Sequence, residues 1–484
     1  MSKLKRNFGY QIAYRILTII TPLITSPIIT RALGAEKLGV YAATQAYANY
    51  YVFAAMLGIE NYGQRMVAAA ASEDEKKHLF WEIYTVQLVS SLTSLVIYYV
   101  TLAFSRQDRY IIMVLQSLWI ISCILNINWF FFGIEEFKVT VIRNFFVKIV
   151  TVISIVLFVR DPSDLPLYVA IMAGGTAFSE LILWFSLRRR IKLERVHWSK
   201  VWPHIIPILR LFIPVIAISL FHIMDKTMLD VLSTESEAGY YYAVDKIVYI
   251  PLGVIMAIST VMLTRISYVL NNESHERARQ LLEKSVELVI FITCAVTFGI
   301  AAISKEFIPF FFGPGYGPCI VLMYWLLPVL LIKAMSDLVR TQYLIPAKKD
   351  NLFTKAVFCG AGTNIIVNAL LIPSLGAKGA VIGTLTAEIV VLIVQVFGCN
   401  KEVPFSRMFI KQLPYALCGI IMLLCVRLLA ENVQIGSVLF KLILMICFGA
   451  IIYMAMCGVL WIIKKNDSIF PAYIRGLLAK KAKS

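Results

Sequence analysis

Apolar runs of about 20 residues recur along the whole of this chain and constrain its fold more than any other feature. A helix of about 20 apolar residues spans the hydrocarbon core of a bilayer, which is roughly 30 Å thick. A spanning segment must satisfy its own backbone hydrogen bonds, and these runs are too long and too uniformly apolar for barrel strands, so each predicts a helix. The sequence therefore predicts an all-α polytopic membrane protein.

Fourteen spans are predicted, with short connections between most of them. They are residues 9–31, 38–68, 79–103, 110–133, 141–159, 165–187, 205–232, 238–264, 285–304, 318–345, 352–372, 378–399, 408–430 and 436–463.

Composition agrees with a membrane protein and leaves no soluble domain over. The chain is 59% hydrophobic and 15% charged, whereas soluble domains carry roughly 25% charged residues. The nine cysteines are scattered singly, without a CxxC or Cys/His cluster, which indicates small core residues and no metal site.

The net charge of +17 does not indicate a nucleic-acid partner, because the basic residues lie mostly in the connections between the spans. Membrane topology accounts for them. With the N-terminus inside, the inner connections carry about 28 Lys and Arg and the outer ones about 7. Both termini are therefore predicted to be cytoplasmic. The basic tail is a positive-inside anchor or, alternatively, a contact for anionic lipid.

A basic linker, RRRIKLERVHWSKVWPH, separates the first six spans from the next six. The segment AEKLGVYA at 35–42 is also similar to ESEAGYYYA at 235–243. These features predict two related six-helix lobes, at residues 1–195 and 196–400, followed by two further helices and a tail at 401–484. Chance similarity between small-residue helix ends is the alternative to an internal repeat.

Two acid–base pairs interrupt apolar runs, Asp225-Lys226 in the seventh span and Asp245-Lys246 in the eighth. A charge at bilayer depth costs several kcal/mol, so such residues face a partner or a water-filled cavity. Each acid could instead pair with a base of a neighbouring helix and have only a structural role. His222 is better interpreted as an interhelical hydrogen bonder than as a proton relay.

The first two spans also carry charges. Arg15 lies either in a cavity or close enough to the inner surface to snorkel. The inner part of the second span, GIENYGQRMVA, contains Glu60, Asn61, Gln64 and Arg65. This segment either lines a cavity or forms an interfacial helix end.

Three more charged residues, Lys333, Asp337 and Arg340, share one helical face, either as a functional ladder or as an intrahelical salt-bridge set. Glu180 and Glu388 are isolated acids in the two halves and candidate ion sites.

Enzymatic chemistry has little support in the sequence. It contains no GxxxxGK[ST], GxSxG or HExxH motif. The outer connections are also too short for a large exposed catalytic region, so a transporter is predicted, with no cofactor.

Several phrases resemble the polysaccharide exporters of the multidrug/oligosaccharidyl-lipid/polysaccharide superfamily, specifically Wzx-type flippases. They are NFGYQIAYRILTIITPLITSPIITRALGAEKLGVYAAT, WFFFGIEEFK, the IMDKTMLD-to-GYYYAVDKI passage and LIPSLGAKGAVIGTLTAE. They extend over most of residues 1–400.

The resemblance implies a substrate and a location. The substrate would be an undecaprenyl-diphosphate-linked oligosaccharide, moved from the inner to the outer leaflet of the bacterial cytoplasmic membrane by alternating access. Two six-helix lobes would enclose a central cavity, with spans 13 and 14 outside. Membrane lipids, a coupling cation (H⁺ or Na⁺) and polysaccharide assembly proteins are the implied partners.

The resemblance also implies roles for seven residues. Arg15, Arg65, Lys226 and Lys246 would bind the diphosphate, and Glu60, Asp225 and Asp245 would act as counter-charges or ion-coupling sites. The alternatives are a MATE-like ion-coupled antiporter of small molecules and, from another class, a polymerase or ligase acting on the same lipid-linked sugars.

Overall fold

A computed structural model describes residues 3–104, 107–188, 190–192 and 194–464 of the chain, and these residues form helices with no strand among them. The helices are α1 (Lys3–Met56), α2 (Ile59–Ala69), α3 (Glu73–Leu102), α4 (Tyr110–Leu125), α5 (Asn128–Gly133), α6 (Phe137–Phe158), α7 (Leu165–Val169), α8 (Gly175–Leu187), α9 (Trp198–Leu232), α10 (Glu235–Asn272), α11 (His275–Phe312), α12 (Pro318–Val339), α13 (Asp350–Leu375), α14 (Ala377–Cys399), α15 (Phe405–Lys411), α16 (Leu413–Asn432) and α17 (Val438–Lys464). Short 3₁₀ turns at Gln107–Arg109 and Pro162–Asp164 and π turns at Ala170–Gly174 and Arg340–Leu344 complete them.

All fourteen predicted spans fall on these helices. Twelve helical stretches of the described residues are long and apolar enough to cross a membrane. The first of them, Leu17–Ala69, contains the first two predicted spans, and α9 carries the seventh. The predicted fold class, an all-α polytopic membrane protein, is confirmed.

The first two predicted spans are joined without a loop. α1 continues through the connector, and only Gly34 departs from helical geometry, at φ 72° and ψ 172°. Glycine has no Cβ and takes a positive φ at little cost, so it allows the chain to turn there.

Two spans are broken within the apolar region. The second breaks at Leu57, where φ is 47°, so that α1 ends and α2 begins. The fourth breaks at residues 126–127, between α4 and α5. Non-helical backbone at membrane depth is tolerated only where it is buried in protein or lines a water-filled cavity. These two breaks are therefore where a site is expected.

The chain divides into two compact units, Met1–Tyr242 and Ala243–Ser484. The first unit includes α9 and the first turns of α10. The predicted boundaries at 195/196 and 400/401 stay predictions.

The first unit has an aromatic core. The ring of Phe80 in α3 stacks on the rings of Trp129 in α5 and Tyr84 in α3. The distances between ring centroids are 5.5 and 5.7 Å, respectively. Phe80 and Trp129 are fully buried. Such pairs contribute about 0.5–1.5 kcal/mol each beyond the area they bury, so this core fixes α5 firmly against α3.

The two similar segments at 35–42 and 235–243 pack on each other reciprocally. A Cβ added at Gly39 would fall on the carbonyl oxygen of Glu235, and one added at Gly239 would fall on that of Ala35. Gly39 corresponds to Gly239 and Ala35 to Glu235, each 200 positions apart, and each glycine contacts the counterpart of the other's partner, as expected for a local two-fold relation. Only glycine fits at either position.

An ion cluster supports this contact. Arg109, which is 6% exposed, donates from Nη1 to Asp230 at 2.6 Å and also pairs with Glu235. It therefore ties the start of α4 to the end of α9 and the start of α10.

In the second unit, polar contacts hold α16 and α17 against α11. Arg427 donates to Glu306 at 2.6 Å, and at the other end Tyr415 donates to Glu287 at 2.7 Å. Trp461 of α17 donates to the Tyr415 hydroxyl at 2.9 Å. A cavity of about 500 Å³ with almost entirely apolar walls lies between the three helices.

Candidate functional site

The short helix α2 presents a polar face. Glu60, Asn61, Gln64 and Arg65 are exposed, and together they are called the α2 polar face below. Polar and ionised side chains are too costly to leave in lipid, so within an apolar stretch they face water or a partner.

The opposite face of α2 is seated closely on α5. Ile59, Gly63 and Val67 are buried at successive turns of four residues. A Cβ at Gly63 would lie 2.5 Å from the Trp129 ring, and one at Gly133 would lie 2.7 Å from Val67. This close packing fixes the direction in which the polar face points.

The break between α4 and α5 lies close to this helix and is held by one glutamine. Gln87 of α3, fully buried, donates to the carbonyl oxygens of Cys123 and Asn126 at 2.6 and 2.7 Å. Its own oxygen accepts from Trp129 Nε1 at 2.9 Å. The carbonyl groups freed by the break are thus satisfied, as a buried helix end requires.

A charged network runs from the interior to the α2 polar face. Arg143 of α6 donates to Glu180 of α8 at 3.1 Å and to Asn128 at 3.0 Å, and Asn128 donates to both Glu180 oxygens at 3.0 and 2.9 Å. The Asn126 side-chain oxygen accepts from Asn128, and Asn126 Nδ2 lies 3.5 Å from Glu60 Oε1. The buried ion pair is therefore connected to the exposed Glu60 through two amides.

A second buried chain supports α2 from its other side. His204 of α9 accepts from or donates to the Tyr62 hydroxyl across 2.7 Å, and its other ring nitrogen lies 3.0 Å from Glu82 of α3. His204 is 6% exposed. This chain ties α2, α3 and α9 together.

Asp225 and Lys226, predicted to be functional, are both held by tyrosines. Asp225 is 3% exposed and accepts from the Tyr241 hydroxyl at 2.6 Å. The Lys226 ammonium lies 5.5 Å from the centre of the Tyr242 ring, within the range of a cation–π contact. The carboxylate is therefore packed in the interior, while the ammonium stays half-buried.

The other predicted residues are placed as follows. Asp245 and Lys246 are half-buried on α10, one helical turn beyond the Tyr241–Tyr242 pair. Arg15 lies on α1 and His222 on α9, but both side chains lie outside the described residues.

The description of Glu180 and Glu388 as isolated acids was wrong. Glu180 pairs with Arg143, and Glu388, 3% exposed, pairs with Lys333 of α12. Lys333 also lies 5.3 Å from the centre of the Tyr249 ring. The buried charge in each case is compensated by a base on a neighbouring helix, as burial requires.

Among the acids outside the spans, Glu402 has a shifted pKa. The hydrogen bond from Lys349, together with one from Tyr343, holds the pKa of Glu402 below its usual value. Glu402 lies in the connection between α14 and α15, which the positive-inside rule predicts to be cytoplasmic.

Sequence reasoning missed Arg143 and His204. Arg143 stands three residues inside the predicted span 141–159, where an arginine is ordinarily interpreted as snorkelling. Its acid partner is 37 residues away, so no local spacing could reveal the pair.

These features define a class: a polytopic helical membrane protein that holds charged and amide side chains between broken helices. Such helices are typical of secondary transporters. The chain belongs to the polysaccharide biosynthesis protein family, whose model matches residues 4–270. The resemblance noted in the sequence is thereby confirmed at the family level.

Two curated relatives agree. The chain is 23% identical over 385 residues to a candidate O-antigen transporter of Shigella dysenteriae, covering 77% of this chain and 94% of the relative. It is 21% identical over 395 residues to a candidate O-antigen transporter of Escherichia coli strain K12, covering 80% and 94%.

Solved structures show the same fold. The lipid II flippase MurJ in an inward closed conformation matches with a TM-score of 0.73 at 16% identity, over 93% of this chain and 99% of that one. An inward-facing multidrug resistance MATE family transporter of the MOP superfamily matches with a TM-score of 0.61 at 12% identity, over 80% and 95%.

Proposed function

We propose that this protein is a flippase for undecaprenyl-diphosphate-linked oligosaccharide repeat units, which it moves from the inner to the outer leaflet of the bacterial cytoplasmic membrane by alternating access. The repeat units would serve capsule, O-antigen or exopolysaccharide synthesis. The family membership and the names of the two curated relatives support this substrate class.

One structural observation carries the proposal. Arg65 and Glu60 are exposed on a short helix that follows a break inside an otherwise apolar stretch. An exposed guanidinium at that position needs water around it and an anionic partner. A diphosphate supplies the partner, because guanidinium groups bind phosphate through charge-assisted, bidentate hydrogen bonds.

The remaining basic residues extend this role. Arg15, Lys226 and Lys246 are proposed to bind the diphosphate at other stages of transport. Lys226 is suited to it by chemistry, because its half-buried ammonium is a compact cation of the kind that binds phosphate.

Transport needs a driving force. Glu60, Asp225 and Asp245 are proposed as counter-charges or as sites for a coupling cation, H⁺ or Na⁺. A carboxylate that alternates between a basic residue and a cation links ion binding to substrate release, because the two equilibria share one group.

The test is leaflet exchange in liposomes. The purified protein is reconstituted with a fluorescent undecaprenyl-diphosphate glycan, and the fraction of probe that becomes accessible to a membrane-impermeant quencher is followed. We expect wild type to exchange the probe and Arg65→Ala or Lys226→Ala to lose at least about tenfold in rate, the loss of one charge-assisted bond of about 1.5–3 kcal/mol.

Lys37→Ala is the matched control, since Lys37 is a half-buried lysine between the first two predicted spans whose ammonium lies 3.1 Å from the adjacent Glu36. It should exchange the probe at the wild-type rate. Wild-type rates in Arg65→Ala and Lys226→Ala would contradict the proposal. In cells, loss of surface polysaccharide on deletion supports it, whereas a changed resistance to toxic cations alone would favour a small-molecule antiporter.

A further inference from the structure

The α2 polar face has the wrong chemistry for a site that binds only diphosphate. Of its four side chains, Arg65 alone is a cation, Asn61 and Gln64 are neutral amides, and Glu60 is an acid that would repel phosphate. Each amide offers two donors and one acceptor oxygen, and the carboxylate offers acceptors only. This array complements groups that both donate and accept, which are hydroxyls.

The array is also rigid. Its helix is only 11 residues long and is fixed by contacts at three turns. A Cβ at Gly58 would collide with the carbonyl of Ile208 on α9, while Gly63 leaves no room against Trp129. Hydrogen-bonding groups on a fixed helix lose little freedom when a ligand binds, so they discriminate sharply between ligands.

The buried network of Arg143, Glu180 and Asn128 extends to this face through Asn126. Asn126 approaches Glu60 at 3.5 Å and is itself held by Asn128, which Arg143 and Glu180 fix from the interior. Arg143 is 5% and Glu180 8% exposed, so neither can contact a ligand on the α2 polar face directly. They are positioning residues, which orient the Asn126 amide beside the Glu60 carboxylate.

Two helix breaks converge here, after Leu57 and at residues 126–127. Broken helices line the binding sites of many secondary transporters, because they bring polar backbone and side-chain groups to membrane depth. The second break supplies Asn126, a third amide, to the same surface.

We propose that Glu60, Asn61 and Gln64 of the α2 polar face, together with Asn126, bind the hydroxyl groups of the glycan and determine which repeat unit the protein accepts, while Arg65 holds the diphosphate. This inference rests on the proposed function, because it concerns the sugar part of the same substrate. A site built to hydrogen-bond hydroxyls rejects ligands that lack them, because its polar groups are then left without partners.

The experiment compares two probes on the full-length protein in detergent. One is undecaprenyl diphosphate without sugar, and the other is the lipid-linked repeat unit extracted from cells that lack this protein. Binding of each is measured for wild type, for the double variant Asn61→Ala/Gln64→Ala and for Arg65→Ala. Thermal unfolding of every variant shows that it is folded.

We expect the double variant to bind the sugar-free lipid within about twofold of wild type and the repeat unit at least about tenfold more weakly, since a tenfold change corresponds to about 1.4 kcal/mol. Arg65→Ala should weaken both probes. Asn432→Ala, which removes an exposed amide from the far end of α16, is the matched control and should change neither.

Positioning is tested with Asn128→Ala, which leaves the α2 polar face intact. It should weaken the repeat unit and spare the sugar-free lipid, a difference that general destabilisation would not produce. Equal losses for both probes, or none, in the double variant would overturn this inference and leave the proposed function standing. Failure of wild type to bind either probe would remove the proposed function and this inference with it.

Discussion

Arg143 and Glu180 illustrate how a single buried pair can hold several helices in a membrane protein. The pair joins α6 to α8, and its hydrogen bonds to Asn128 extend the connection to the start of α5. Taking one partner away leaves an uncompensated charge in a low-dielectric interior, which costs far more than the pair itself contributes.

We therefore predict that Arg143→Ala lowers the free energy of unfolding by about 3–5 kcal/mol. The double variant Arg143→Leu/Glu180→Leu should recover most of this loss, because it removes both charges. Thermal unfolding of the purified protein measures both effects. If the double variant is as unstable as the single one, packing and not charge would account for the loss.

Residue by residue, the sequence revealed what was exceptional in its local context. Glu60 and Arg65 stood out as polar positions in an apolar span, and the structure does expose them. The sequence could not reveal that Glu180 and Glu388 are paired, because their partners Arg143 and Lys333 lie 37 and 55 residues away along the chain. Long-range pairing depends on helix packing, which no local spacing encodes.

At the scale of helices, hydropathy found the spans because burial of backbone polar groups forces helices in lipid. It did not find the breaks at Leu57 and at residues 126–127. Leu57 is itself apolar, and Asn126 is a single amide at the break within a long apolar run, so the mean hydropathy over either span hardly registers the break. They depend on tertiary partners such as Gln87, which binds two carbonyl groups near the second break.

The contact between α1 and α10 gives the sharpest prediction at this scale. A methyl group at Gly39 would occupy the position of the Glu235 carbonyl oxygen, so Gly39→Ala must push the two helices apart. Overpacking of this kind costs about 1–3 kcal/mol. We expect a lower unfolding temperature, measured by thermal unfolding of the purified protein.

Gly362→Ala is the control, because an added Cβ meets nothing within 4 Å there. It should be neutral or stabilise α13 by up to about 1 kcal/mol, the helix preference of alanine over glycine.

The reciprocal contact of Gly39 and Gly239 allows a second check. Since Gly39→Ala already separates the helices, adding Gly239→Ala should cost less than it does alone. Additive losses would contradict a shared contact.

At the scale of the whole molecule, the sequence similarity between residues 35–42 and 235–243 does not by itself predict that the two segments touch. The structure brings them together with matching glycines. Chance similarity between helix ends does not require such reciprocal contact, so the contact favours an internal repeat. The extent of the repeated lobes, 1–195 and 196–400, stays a prediction.

The orientation of the α2 polar face in the membrane tests the proposed function, which requires the lipid-linked repeat unit to reach this face from the cytoplasmic side. The positive-inside rule places the connection after α2 inside and the one at residues 159–164 outside. A cysteine at Ser163 should therefore react with a membrane-impermeant maleimide in intact cells. One at Glu75 should react only after the membrane is permeabilised.

The exposed native cysteines Cys359 and Cys447 are first replaced by serine so that they do not contribute. Ser163 and Glu75 are both exposed, so a difference in labelling reports sidedness and not burial. The opposite pattern would place the α2 polar face on the outer side. The α2 polar face would then be reached from outside the cell. That result would contradict transport of repeat units from the inner to the outer leaflet, even if every buried contact were correct.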